Sequence, residues 1–408
     1  MNSKSQIFIQ NLFKDYYKHD YTPRFLSEIE RREFGFISFE GFMLRHKSFS
    51  RTDDLKRFME NSPPMDAYYS CAYYENPEAE MDKKGWLGAD LIFDIDADHI
   101  PTGCNKVHDE WTCGNCNFSG KGLTPEKCPI CNGEKFGIVT WPCETCLDAA
   151  KRETVKLLDL LMDDFGFSDK EVQVFFSGHR GYHIHIESEI VKGLDANARK
   201  EIVDYITCLG FEVMPRHKGK KGVGTRVIFE RNSYGWSRRL KMGLANFIAK
   251  ANEEDLRKIG LKQNIARILM QNKDKFLKNW TDSGTWGSVA GIGPATFRKI
   301  AEYVVQMQSA KIDSVVTTDT HRLIRLPETL NSKTGFKKTW FPTKEIECFD
   351  PFTNATAFKK GTVVIQVSDA PKFRLNGENF GPFKNQKVEL PTHAAVLLIC
   401  KNKAEVLE

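Results

Sequence analysis

Two aspartates one residue apart, Asp94 and Asp96 in the run Leu-Ile-Phe-Asp-Ile-Asp, carry the simplest candidate chemistry in this chain of 408 residues. Side chains alternate across a strand, so both carboxylates project from one face while Phe93 and Ile95 turn to the other and anchor the strand in a core. Like charges this close repel. Unless water, a basic partner or a strong cation compensates them, one carboxylate takes up a proton, and a divalent ion that also holds phosphate oxygens is a common solution. A lone D-x-D is also read as solvated charge on an exposed strand end, so its meaning depends on its company.

Two further groups supply that company. Ser177-Gly178-His179-Arg180-Gly181-Tyr182-His183-Ile184-His185 falls at a strand-to-strand turn. Gly178 and Gly181 allow tight backbone approach, while Ser177, Arg180 and His183 offer donors suited to triphosphate oxygens, Arg180 by its bidentate fork. His183 and His185 share a face and are alternative metal ligands. Far downstream, Asp313 is expected near the start of a strand, followed by His321-Arg322-Leu323-Ile324-Arg325-Leu326-Pro327 and Asn331-Ser332-Lys333-Thr334-Gly335. This adds one carboxylate and a second set of cations. A basic, glycine-rich tract runs from Arg216-His217-Lys218-Gly219-Lys220-Lys221 through Gly222, Gly224, Arg226 and Arg231 to Trp236-Ser237-Arg238-Arg239-Leu240-Lys241. It could follow a phosphate backbone or a triphosphate, and standing alone it reads as a solvated loop.

Seven of the eleven cysteines crowd between Cys104 and Cys146, as C-x-x-C pairs at Cys113/Cys116, Cys128/Cys131 and Cys143/Cys146, with Cys104 and His108 upstream. Eight soft ligands suit two tetrahedral zinc sites, and a C-x-x-C turn places two sulfurs on one ion. A redox pair is the competing reading. The gaps between successive pairs are equal, so spacing does not separate a sequential from a nested arrangement. The nested one is taken as the expectation, with Cys113, Cys116, Cys128 and Cys131 inside a site made by Cys104, His108, Cys143 and Cys146. With no ligand position left open, the zinc would hold structure.

These groups need elements to position them, and the hydrophobic pattern suggests an α+β fold: a mixed catalytic core on β-sheets, an inserted zinc-binding segment and a helical subdomain. Helical spacing marks the first ~20 residues. Strands are expected at 33–37 and 42–45, paired as a hairpin, at 65–74, and at 90–96, which carries the aspartates. An amphipathic helix is expected at 147–165, with Val155, Leu158, Leu161 and Met162 on its apolar face, then strands at 172–176 and 182–186. Residues 195–209 and 240–307 read as helical, and Gly291-Ile292-Gly293-Pro294 resembles a helix-hairpin-helix turn or ordinary helix-start punctuation. Short β-rich runs at 363–365 and 394–399 are expected to close a sheet. The resulting divisions are 1–103 (first part of the core), 104–146 (zinc insertion), 147–238 (core with the Ser-Gly hairpin), 239–309 (helical subdomain) and 310–408 (core completion).

Composition narrows the class. With 59 Lys and Arg against 54 Asp and Glu, the net charge of +5 does not by itself imply nucleic acid. No apolar run approaches the ~18 residues that span a bilayer, and Met-Asn-Ser-Lys-Ser-Gln lacks the features of a signal peptide. Clustered metal-type cysteines fit a reducing compartment, so a cytoplasmic enzyme with no membrane partner is expected.

The ordered set of D-x-D, zinc-type cysteines, Ser-Gly-x-Arg-Gly-x-His, a later lone Asp and R-L-x-R-x-P followed by K-T-G resembles the small, catalytic subunit of the archaeal and eukaryotic DNA primase, with archaeal members nearest. The resemblance implies that Asp94, Asp96 and Asp313 are catalytic ligands of Mg2+ or Mn2+. It implies that Ser177, Gly178, His179, Arg180 and His183 bind the incoming nucleotide, with Arg325 and Lys333 near its phosphates. Glu33 and Arg45 match an N-terminal pair near the active site. Cys143 and Cys146 match the family's zinc site, which supports nesting. His179 stands where relatives are often basic, Asn331 where a histidine is common, and the Cys113–Cys131 ribbon is longer than the usual knuckle.

The function so implied is synthesis of short RNA primers on single-stranded DNA from nucleoside triphosphates during replication. The implied partner is an iron-sulfur-containing large subunit in a heterodimer; nothing in this chain supplies that cluster. Two other readings compete: a related primase-polymerase acting in repair, and a zinc-ribbon nucleic-acid-binding protein without catalysis.

Overall fold

In the computed structural model the strand bearing the two aspartates forms one edge of an antiparallel sheet. The structure describes residues 2–213, 227–228, 234–283, 285–286 and 292–407. Eight strands build two four-stranded sheets: β1 (Phe34–Ile37), β2 (Met43–Lys47), β3 (Asp66–Ser70), β4 (Leu91–Asp96), β5 (Val172–Phe176), β6 (Gly181–Ile186), β7 (Leu323–Arg325) and β8 (Thr339–Phe341). The first sheet has the order β7-β3-β1-β2 and the second β8-β5-β6-β4, with every neighbouring pair antiparallel. The fold is α+β.

The second sheet is built on apolar side chains that have nowhere else to go. Phe93 and Ile95 of β4, Val174, Phe175 and Phe176 of β5, and Tyr182, Ile184 and Ile186 of β6 are all buried. Burying each such side chain stabilises the fold by roughly 1.5–3 kcal/mol. The hairpin β5–β6 fixes the register, and β6 then aligns with β4 so that His183 faces Asp94 and Gly181 faces Asp96. Polar groups tie the two sheets together. The Tyr69 hydroxyl of β3 lies 3.1 Å from His185 Nδ1 of β6, and Lys338 Nζ donates to the Arg325 carbonyl at 2.9 Å.

Two expected strands come out differently. Residues 65–74 form two strands rather than one, β3 and Ala72–Tyr74, which belong to different sheets. They part at Cys71, whose N–H goes to the Arg322 carbonyl and whose own carbonyl accepts from Asp90. The run 394–399 lies in a helix, Thr392–Cys400, every residue of which is buried. A short run that is apolar on all sides carries no period, so only its surroundings choose between strand and helix. Here a sheet of Phe383–Pro391, Thr362–Ala370 and Ala404–Val406 is completed by the chain on either side of the helix.

The chain divides into two compact units, 1–158 with 166–201 and 311–408, and 159–165 with 202–310. The second is helical. Its helices Gly235–Lys250, Glu253–Lys258, Gln263–Gln271, Lys273–Ser283 and Pro294–Gln308 surround a core that includes Leu244, Ile248, Trp280, Phe297 and Ile300. Gly293 is the N-cap and Pro294 the first residue of the last of these. Gly291 and the basic tract over 216–226, with Arg231, lie outside the described residues. Among the described residues no helix is long and apolar enough to cross a membrane.

Candidate active site

Asp94 and Asp96 end β4 side by side at the wall of a cleft of about 190 Å³. The cleft is also lined by Ser177, His179, His183, Arg322, Arg325 and Asn331. Asp313 is not at the start of a strand. It caps the helix Ser314–Thr318, its side chain accepting from Val315 N at 2.9 Å and Val316 N at 3.4 Å. An aspartate followed by a β-branched run reads locally as strand, yet the same side chain is a strong N-cap. Its own N–H donates to the Asp94 carbonyl at 2.9 Å across the free edge of β4, which brings the third carboxylate to the first two.

The electrostatics of this trio are unbalanced. Burial, then the charges of Asp96 and Asp313, push the Asp94 carboxyl up to about 7. Facing it, His183 Nε2 lies 3.5 Å from Asp94 Oδ1. Burial and the cations Lys338, Arg325 and Arg322 hold that imidazole well below its usual range, so it is neutral at pH 7. An all-oxygen set with excess negative charge fits a hard divalent cation of the Mg2+ or Mn2+ type.

The turn after β5 is shaped by two glycines that nothing else can replace. Gly178 sits at φ +81°, and a Cβ there would meet Asn331 Cβ and Lys338 N at 3.2 Å. At Gly181 a Cβ would fall 2.0 Å from the Ile95 carbonyl oxygen. Ser177 Oγ closes the turn by accepting from the N–H groups of His179 and Gly181, both at 3.2 Å. Across the cleft, Arg325 is held by Asp66 (2.6 Å) and the Leu330 carbonyl (2.9 Å), and Asp66 is in turn held by the Ser332 hydroxyl at 2.7 Å.

Arg180, expected at the nucleotide, points elsewhere. It is fully buried, bidentate to Asp109 at 3.0 Å for both contacts, 2.6 Å from Asp98 and 3.3 Å from Cys146 Sγ. The two neighbours part within the turn between β5 and β6: His179 lines the cleft, whereas Arg180 is buried against Asp109. Asp109 also accepts from Asn105 at 2.8 Å and lies 2.7 Å from His108 Nδ1. Against its burial, the His108 bond and the Arg180 charge hold its carboxyl down at about 2.

That network abuts the cysteines. Ligand atoms of Cys104, His108, Cys143 and Cys146 lie within 4.8 Å of one another, and so do those of Cys113, Cys116, Cys128 and Cys131. This is the nested grouping. Cys146 Sγ stands 3.4 Å from Cys104 Sγ, and His108 Nε2 3.2 Å from Cys143 Sγ. A carboxylate behind the histidine, as Asp109 is, orients a metal-ligating imidazole. Soft ligands in fours suit zinc, and the inserted set is carried by the small sheet of Glu110–Cys113, Ser119–Lys121 and Phe136–Val139.

Other expected residues fall outside the cleft wall. Glu33, fully buried, pairs with Arg45 at 3.0 Å and Lys84 at 3.4 Å, and Lys333 is exposed. Sequence reasoning missed Asp66, Tyr68, Arg322, Lys338 and Lys401. Arg322 lay within a motif already singled out; the others carry no local signal, because each owes its place to contacts distant in sequence.

A sheet edge bearing two carboxylates with a third at the helix cap beside it, opposite a cationic wall and near a cysteine-rich insertion, suits the handling of phosphate groups. The sequence comparisons give that class its family. A family model described as DNA primase small subunit matches residues 142–341. The chain is 31% identical to the DNA primase small subunit PriS of Nitrosopumilus maritimus and 32% identical to that of Methanothrix thermoacetophila, each over 100% of both chains. It is 30% identical to the PriS of Cenarchaeum symbiosum over 99% of each. The chain belongs to the archaeal-type DNA primase small subunits.

Proposed function

We propose that the cleft synthesises RNA primers on a single-stranded DNA template by nucleotidyl transfer. The observation that carries this reading is the convergence of Asp94, Asp96 and Asp313 at one edge of β4, with the Asp94 carboxyl pushed up to about 7 by burial and by the charges of the other two. These three residues would hold Mg2+ or Mn2+, which when bound lowers the pKa of the attacking 3′-hydroxyl and neutralises the triphosphate. The 3′-oxygen forms a bond to the α-phosphorus, the bond from that phosphorus to the bridging oxygen breaks, and pyrophosphate departs.

The chain's own residues orient the triphosphate. Ser177, His183 and Arg325 line the same cleft as Asp94 and Asp96. Arg325 keeps its direction through Asp66, so its charge is preorganised rather than recruited, which favours electrostatic stabilisation of the transition state. Neutral His183 offers a hydrogen bond beside Asp94 without competing as a cation. Gly178 lets backbone approach at the turn. Arg180 acts behind this wall, joining the turn to Asp109. Buried Glu33 pairs with the exposed Arg45 of β2, and Lys333 supplies exposed charge near the Asn331 turn. Zinc at the two cysteine clusters would hold the insertion together.

The companion is a large, iron-sulfur-containing subunit, as the family resemblance implies. Labelled-nucleotide incorporation by the full chain, alone and with that subunit, tests the reading. Product that needs a single-stranded template and a divalent metal is expected. A chain that binds DNA but forms no product under any metal would leave the zinc-ribbon binding protein as the correct description.

A further inference from the structure

We propose that Lys401 is a positioning residue that completes, with His179, a subsite for the distal phosphates of the incoming nucleotide. The inference rests on the cleft reading above and extends it to a residue at the far end of the chain, beyond the 142–341 stretch matched by the family model.

Lys401 follows directly on the buried helix Thr392–Cys400, and its N–H donates to the Leu397 carbonyl at 3.0 Å. Its side chain is only 7% exposed, and Nζ lies 3.0 Å from His179 Nε2. Among the described residues no carboxylate stands within ion-pair distance of it. A buried ammonium without a counter-ion is costly and asks for an anion. The nearest acid in the region, Asp98, already pairs with Arg180 at 2.6 Å. Burial first, then the charges of Arg180 and Lys333, bring Lys401 down to about 7, with Asp98 opposing.

His179 links Lys401 to the cleft. It lines the wall together with Asp94, Asp96, Ser177 and Asn331. While Lys401 is protonated it has donors only, so His179 Nε2 then accepts and Nδ1 carries the proton. Burial and the surrounding cations keep the ring itself neutral. The subsite therefore consists of a fixed N–H donor from His179 backed by the charge of Lys401. Asp96, Asp98 and His179 also lie close enough to hold a metal ion. Arg180 pairs with Asp98 at the acid end of this group, and Lys401 lies against His179 at the other, so the histidine end suits an anion.

The test uses the full chain. With Mg2+ and no template, Lys401→Met should weaken binding of ATP and of inorganic tripolyphosphate about tenfold, the loss of one charged contact, and leave AMP unchanged. In steady state KM for the nucleotide should rise by a similar factor with kcat within about twofold, and Lys401→Arg should recover most of the loss. Nitrogen-15 spectra of labelled histidine in the wild-type chain at pH 6, where Lys401 is protonated, should report His179 as the Nδ1–H tautomer. A folded Lys401→Met variant that binds ATP and tripolyphosphate normally, or loses AMP equally, overturns the proposal. So does a wild-type Nε2–H tautomer, which decides the matter even if the methionine variant does not fold. If the wild-type chain binds neither ATP nor tripolyphosphate, the cleft reading fails first and the subsite falls with it.

Discussion

The cleft and the cysteine-rich insertion are neighbours with opposite electrostatic designs. Beside Cys146 the central acid is closed: Asp109 is shared by Arg180, His108 and Asn105 and is held at about 2. In the cleft the charges are left open, with Asp94 pushed up to about 7 and Lys401 without an acid. Satisfied buried pairs hold a structure in place; unsatisfied ones wait for a ligand. The strand pair β4–β6 carries Asp94 and His183 to the cleft, and the turn leading into β6 carries Arg180 to Asp109.

The contrast can be broken from either side. The largest effect should come from Asp96→Asn, which removes charge from the open side: nucleotide incorporation should fall about a thousandfold or more, with the melting temperature and zinc content unchanged. Near-normal primer extension by this variant would mean that the trio is not the metal site. On the closed side, Arg180→Met leaves Asp109 buried without its fork and should cost about 3–5 kcal/mol in chemical denaturation, with zinc released more readily to a chelator. An unchanged denaturation midpoint would show that Arg180 is not a buried keystone.

Between the two sides, Gly181→Ala places a methyl 2.0 Å from the Ile95 carbonyl oxygen and should destabilise the protein by about 3 kcal/mol, measured by thermal melts. The smallest effect is on pH dependence. Because the folded Asp94 carboxyl titrates near 7, above its ordinary 3.8, ionisation disfavours the metal-free fold as pH rises from 4 to 7, and the penalty is full above 7. Asp94→Asn should therefore melt higher than wild type at pH 8 without metal, and the gap should vanish near pH 4. Added Mg2+ should raise the wild-type melting temperature and not that of the variant. Identical pH profiles would place the excess charge elsewhere.

Much of the cleft was legible in residue order. The aspartate strand, the glycine-pinned turn and the cysteine pairs all act within a few residues of themselves, where alternation, turn chemistry and ligand spacing apply directly. Asp313 was legible as a carboxylate but not as a helix cap, since an N-cap and the first residue of a β-branched strand share a local pattern. Residues 394–399 failed for a related reason: burial on all sides erases the period that distinguishes the two elements.

What the sequence determined by itself is the inventory: three carboxylates, a cationic turn, eight soft ligands and the strands that present them. What only tertiary structure decided is who faces whom. Arg180 finds Asp109 across 71 residues and Lys401 finds His179 across 222, so the pairing of each cation depends on how distant segments pack rather than on any local pattern. Charge in a sequence is a count, whereas its compensation is a matter of distances that exist only after folding.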